Sequence, residues 1–327
     1  MSSAFVTIII FCLIYVCSGN RYVNNRPVIG IVARKTSSRV LATIGSSVVV
    51  ASYVKFIETG GARVVVIKEG QPYEYYLRIF NSINGVFMQG GSIKDARLMK
   101  SEYARVAKIM LDLAIESNKN GDYFPIWGTC LGFQVLASLV AGKNIRLGGF
   151  DAVNRAIPLV IGQDFNTSRM FNVMSTPADL LEAVTTENIT YHNNEKGITN
   201  WMFKQHGLDE LFKVVTVNTD RKGLEYISSI EAIDYPFYAV QWHPEKTMYE
   251  WNRYQNPNIP RTTNAIRIAQ HLANFFASEA RKSSHTFKSE EEELPHLISN
   301  IQPIFTGGNL TTYELCYFLE RHQGVSP

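Results

Sequence analysis

"YFPIWGTCLGFQVLASLVAG", Tyr123 to Gly142, decides how this chain is to be read. Its first half is a short apolar run of the kind that makes a buried strand. Its second half, "LGFQVLASLVAG", carries apolar residues at helical spacing and is closed by Gly142. The halves meet at "GTCLG", so the pattern predicts a strand that reverses sharply into a helix at Cys130. Glycines two before and two after the cysteine remove side chains that so tight a reversal would press together. Gly-x-Cys-x-Gly has the form of a nucleophile elbow with sulfur in place of oxygen. A small buried cysteine in a tight turn is the other reading that these residues leave open.

The same alternation extends outward. "VIGIVAR", "ARVVVIK" (Ala62 to Lys68) and "GVFMQGG" (Gly85 to Gly91) read as further buried strands. Between them, Ser46 to Thr59, Tyr73 to Ile83 and Glu102 to Ser117 have helical spacing. Such alternation calls for an α/β fold: a mainly parallel sheet with helices on both faces. Arg146 to Gly207 is less regular and reads as loops and short strands. "FKVVTVNTD", "GLEYISSIE" and "FYAVQWHPE" read as consecutive strands, and Asn264 to Lys282 as a long amphipathic helix. No internal repeat or flexible linker is evident. The expected organisation is a leader over 1–19 and one domain over 20–327 with a C-terminal extension.

The leader, "MSSAFVTIIIFCLIYVCSG", holds an apolar stretch from Phe5 to Val16, too short for a comfortable membrane span. It reads as a secretory signal peptide, with an uncleaved anchor as the alternative; once cleaved, no membrane association is expected. Cleavage would remove Cys12 and Cys17, leaving Cys130 and Cys316 and excluding a disulfide framework. Sequons at Asn166, Asn188 and Asn309 agree with passage through the secretory pathway. The net charge of +3 is spread without a basic stripe, which argues against nucleic-acid binding. "SEEEE", Ser289 to Glu293, reads as a solvated helix end or loop. The histidines other than His243 show no ligand spacing, so neither metal nor cofactor is expected.

Three candidate sites fall at strand ends: Gly90 and Gly91 in "MQGG", Cys130 in "GTCLG", and His243 in "QWHPE". That edge of an open α/β sheet is where ligands bind. At a helix N-terminus Cys130 would favour the thiolate. The N–H of Leu131 and one from the Gly90–Gly91 turn would face a developing oxyanion. His243 is the candidate base, and Glu245, two residues on, could orient its ring. Alone, each piece has a bland reading as packing, a satisfied histidine or a turn. Together on consecutive strand ends they favour a Cys-His-Glu triad.

"RPVIGIVAR", "ASYVKFIETGGARVV", "SINGVFMQGGS", "GDYFPIWGTCLGF", "YAVQWHPEK" and "NFFASEARK" follow one another in the order found in gamma-glutamyl hydrolases. From Arg26 to Phe318 the chain resembles that branch of the class I glutamine amidotransferase-like superfamily. The resemblance implies a flavodoxin-like three-layer sandwich, a homodimer, and a destination in the extracellular space, lysosome or vacuole. It implies hydrolysis of γ-glutamyl amide bonds in folylpoly-γ-glutamates through a cysteine thioester. Carried over, Cys130 is the nucleophile, His243 the base, Glu245 the third member, and Gly91 and Leu131 the oxyanion donors. Gly90, Ser92 and Gln134 would stand beside substrate, and His192 in "TYHNN" would match a pocket histidine. Gln134 departs from the pattern, since the hydrolases carry Glu there and the amidotransferases Gln. A glutamate leaving group needs positive or polar groups near His243, for which Arg169 in "TSRMF" and Lys246 are candidates. A glutaminase and an inactive binding module are the competing readings; the first would need a synthase partner, and the second would have no use for an intact triad.

Overall fold

The β-branched runs become strands in the computed structural model, which describes residues 23–36, 39–308 and 311–321. The leader and the Asn309 sequon lie outside the described residues. In chain order the strands are β1 (Val28–Val32), β2 (Arg34–Lys35), β3 (Gly45–Val50), β4 (Arg63–Ile67), β5 (Val86–Met88), β6 (Ile126–Thr129) and β7 (Leu147–Ile157). They continue as β8 (Val160–Ile161), β9 (Thr190–Gly197), β10 (Phe212–Thr219), β11 (Glu225–Ala232), β12 (Phe237–Val240), β13 (Ile304–Phe305) and β14 (Leu315–Arg321). The main sheet runs β4-β1-β5-β6-β12-β11-β10-β8. Its first five strands pair in parallel. The last three join antiparallel at one edge.

Seven helices matter here: α1 (Ala51–Thr59), α2 (Tyr73–Phe80), α3 (Glu102–Lys119), α4 (Leu131–Val140), α5 (Ala178–Thr186), α6 (Pro244–Tyr249) and α7 (Thr263–Ala280). Strand side chains alternate between the two faces, so one run feeds two cores. Ile29 and Ile31 of β1 pack with Tyr53 and Phe56 of α1 and Leu272 and Phe276 of α7. Val28 and Val32 of the same strand pack with Ile79 of α2, Val106 of α3 and Leu136 of α4. Each fully buried aliphatic contributes roughly 1.5–3 kcal/mol. This is the three-layer α/β sandwich with a mainly parallel sheet that the alternation calls for.

Two expectations are corrected. Ser46 to Thr59 is not one helix: Gly45–Val50 is strand β3, and the helix begins at Ala51. Val48, Val49 and Val50 pair with Phe318, Tyr317 and Cys316 of β14, a partner far along the chain that no local spacing reveals. β3 and β14 belong to a second sheet of order β13-β14-β3-β2, which ties the last described strand to the one that precedes α1. Between Arg146 and Gly207, β8 is short as expected, but β7 and β9 are long. β7 and β9 form an antiparallel ribbon whose register shifts twice, which breaks the alternation that would have revealed it, and α5 lies between them. In the acidic run, Ser289 caps a short helix, and Glu293 is buried against Arg63 instead of solvated.

Candidate active site

The order β5-β6-β12 within the main sheet sets three strand ends side by side. They deliver Gly90 and Gly91, Cys130, and His243 to one edge. At the end of β6 the chain turns through Cys130 at φ 54°, ψ −103°, left-handed backbone that a non-glycine residue rarely adopts. The turn is pinned by the Cys130 N–H, which donates to the Val240 carbonyl at 2.8 Å. Its glycines are obligatory for a specific reason. A Cβ at Gly132 would stand 2.0 Å from the Met88 carbonyl oxygen, and one at Gly128 would stand 2.8 Å from the Gly132 carbonyl carbon. The helix therefore approaches β5 as closely as backbone allows, with Cys130 at its N-terminus.

Cys130 is buried but lines a cleft of about 250 Å³ that His243 also lines. His243 sits at the N-cap of α6, followed by Pro244, and its N–H donates to the Tyr191 carbonyl at 2.8 Å. Its ring Nδ1 meets Glu245 Oε1 at 2.7 Å, and Tyr53 Oη stands 3.5 Å from the same nitrogen. Burial disfavours charge on both the thiol and the ring. Even so, the His243 charge and hydrogen bond hold the Cys130 thiol below its ordinary range. The Glu245 and Cys130 charges raise His243 to about 9. A thiolate–imidazolium pair is the state this arrangement stabilises.

Gly90 and Gly91 complete the edge. A Cβ on Gly90 would reach 2.1 Å from Tyr53 Oη and 3.3 Å from the Cys130 Cβ, so the turn lies directly against Cys130. Gly91 has φ 147° and lines the cleft with Ser92. Leu131 is the first residue of α4, where backbone N–H groups lack intrahelical partners.

Of the candidate substrate-binding residues, Gln134 and Lys246 line the cleft, whereas Arg169 and His192 do not. Arg169 stacks on Tyr238 and donates to the Ala232 and Tyr235 carbonyls, at the turn that leads into β12. That is the opposite end of β12 from His243, so Arg169 braces the fold. His192 is fully buried, with Nδ1 at 2.8 Å from Tyr226 Oη and Nε2 at 3.0 Å from Thr190 Oγ1. Burial, with the charges of His243 and Arg155, pushes it down to about 3, so it stays neutral behind the cleft. Its neighbours Asn193 and Asn194 take the cleft position instead.

Sequence reasoning missed Arg146, Lys196 and Tyr313, which also line the cleft. Arg146 donates to Asp95 Oδ1 at 2.5 Å and to Gln134 Oε1 at 3.4 Å, while Lys196 Nζ meets Asp95 Oδ2 at 2.8 Å. Lys196 comes from β9 and Arg146 from the residue just before β7, a stretch that carries no motif. Lys246 Nζ lies 5.1 Å from the ring centre of Tyr313, which the C-terminal extension contributes. Among the described residues, no group of three or more His, Cys, Asp or Glu side chains could hold a metal ion. The described Cys130 and Cys316 are both free thiols, and burial raises Cys316 to about 11.

The surroundings of Gln134 account for the residue type. Its Nε2 donates to Gln241 Oε1 at 2.9 Å and to the Lys196 carbonyl at 3.1 Å, both acceptors. A carboxylate there would face two oxygens. Gln134→Glu is expected to lose about 1–3 kcal/mol of stability. The new carboxyl's folded pKa would be raised, so the loss appears as pH climbs past the ordinary Glu range and is absent in acid. Thermal melts of both proteins across pH would show it; a pH-independent difference would refute the account.

An α/β sandwich that sets a Cys-His-Glu constellation at the carboxyl edge of its sheet is built as a cysteine-dependent hydrolase. Residues 27–245 match the Peptidase C26 family. The chain is 41% identical to gamma-glutamyl hydrolase of Homo sapiens, covering 90% of this chain and 90% of the relative. It is 37% identical to gamma-glutamyl hydrolase B of Dictyostelium discoideum, over 91% and 85%. It is 33% identical to gamma-glutamyl hydrolase 1 of Arabidopsis thaliana, over 89% and 82%. This chain belongs to the gamma-glutamyl hydrolases of the Peptidase C26 family.

Proposed function

We propose that this protein hydrolyses γ-glutamyl amide bonds in folylpoly-γ-glutamates, with Cys130 as nucleophile. The observation that carries the residue assignment is the buried pair of Cys130 and His243, with Glu245 fixing the imidazole through Nδ1. The Cys130 thiolate adds to the side-chain carbonyl of a glutamate, forming a C–S bond and a tetrahedral oxyanion beside the Leu131 and Gly91 amides. Collapse breaks the C–N bond as imidazolium of His243 gives its proton to the leaving amine. Neutral His243 then takes a proton from water, which attacks the thioester and frees the γ-carboxylate and the thiol.

The leaving group is a glutamate, so its carboxylates need cations. Lys246, Arg146 and Lys196 line the cleft and support this role. Arg169 does not, for the reason given above. A glutaminase would release ammonia, which brings no carboxylate for these cations to meet. We propose further that the protein is a homodimer that enters the secretory pathway, bound for the extracellular space, lysosome or vacuole. The leader and the exposed sequons at Asn166 and Asn188 support that destination.

The test is product analysis with purified protein on a folylpoly-γ-glutamate, an α-linked glutamate peptide and free glutamine. Rapid cleavage of the first, little of the second and negligible ammonia from the third are expected. Comparable rates on the α-linked peptide, or glutamine as best substrate, would overturn the reading.

A further inference from the structure

Beside the cleft holding Cys130 lies a second one, of about 660 Å³, and the two share Ser92 and Ile93. Arg34 and Lys35 reach its wall from β1–β2, and Lys94, Arg97 and Lys100 from the segment joining β5 to α3. The last three and Lys35 are exposed. Among the described residues, none of those four forms an ion pair. The nearby carboxylates are engaged elsewhere. Asp95 is turned to Arg146 and Lys196, and Glu102 pairs with Arg105 and accepts the Gly70 N–H. The remaining acid, Glu69, is pushed up to about 7 by burial and by Glu102, which weakens it as a counterion.

A chain of net charge +3 has no general excess of cations to account for this cluster. Like charges gathered around one groove repel one another, and a bound anion relieves that repulsion. A γ-linked glutamate chain leaves one free α-carboxylate on every residue, so its tail is a polyanion with regularly spaced charge. Ser92 and Ile93 line both, so a chain held at Cys130 would pass over these two residues to reach the groove.

We propose that this basic groove receives the carboxylates of γ-glutamyl residues remote from the scissile bond, and so makes the enzyme favour longer chains. The inference rests on the hydrolase activity proposed above. The test combines Lys94→Ala, Arg97→Ala and Lys100→Ala in one protein, three exposed positions outside the triad and its cleft. With the wild-type protein, kcat/KM should be higher for folylpenta- than for folyldi-γ-glutamate, and should fall with added salt for the longer chain. The triple variant should lose at least about tenfold on the longer substrate and stay within about twofold on the shorter, with a flatter salt dependence. Equal losses on both substrates, or no loss on the longer, would overturn the proposal. Calorimetry on a Cys130→Ala background with free penta-γ-glutamate gives a second readout that needs no turnover. Affinity should weaken at least about fivefold when the three cations are removed. Unchanged affinity would refute the groove; weakened affinity in a protein that cleaves neither substrate would keep the groove and refute the activity.

Discussion

Cys130→Ala is expected to fold normally and to lose hydrolysis, with kcat/KM down at least about a thousandfold. The substitution removes one sulfur from a side chain that already opens onto a cleft, so little packing is lost. Backbone strain at φ 54° is also unchanged, because alanine is no better suited to that region than cysteine. Thermal melting and turnover on a folylpoly-γ-glutamate should therefore separate cleanly. A variant that keeps more than about a hundredth of the wild-type rate, beyond what oxyanion stabilisation alone leaves, would end the nucleophile assignment.

His243→Ala should be nearly as severe in turnover, and it also changes the chemistry of the thiol. With the ring present, the Cys130 thiol titrates below its ordinary range, so thiolate persists as pH falls through neutrality. Without it, burial and the Glu245 charge push the thiol pKa upward against Lys246, so thiolate is scarcer near pH 7. Iodoacetamide alkylation near neutrality should slow by at least about tenfold in the variant. Cys316 does not confuse the reading, since it is buried in β14 and its thiol is raised to about 11. In wild type, His243 raised to about 9 predicts that turnover declines on the alkaline side near that value, where the proton for the leaving amine is lost. The two limbs belong to the coupled pair rather than to either residue. Equal alkylation rates with and without His243 would break the pairing.

The parts of this protein that sequence revealed are those whose causes are local. Gly128 and Gly132 around Cys130 announce a close backbone approach within one turn, and the structure supplies the atoms they avoid, Met88 and each other. His243, Pro244 and Glu245 are consecutive, so the strand end, helix start and Nδ1 partner can be read together. What escaped depends on distant partners. Val48 to Val50 became strand because β14 lies beside them. Lys196 reaches the cleft on a ribbon whose bulges hide its period, and Arg146 from just before it. Arg169 was drawn to the site by charge alone, but its guanidinium is committed to carbonyls at the far end of β12. His192 had the right neighbourhood and the wrong facing: Asn193 and Asn194 hold the position expected of it.

The pairing of β14 with β3 bears on when, during synthesis, the site becomes whole. A ribosome releases the Gly90 turn first, then the elbow, then His243, and only about seventy residues later Tyr313 and the strand that follows it. β12 must also slot between β6 and β11, so the strand leading to Cys130 keeps one open edge until β12 is made. The last wall of the cleft is thus laid by Thr312 and Tyr313, just ahead of the last described strand. A nascent chain held by the ribosome at residue 300 should carry its triad residues but an unfinished substrate chamber. Emergence of the segment around Tyr313 would itself be the event that closes it.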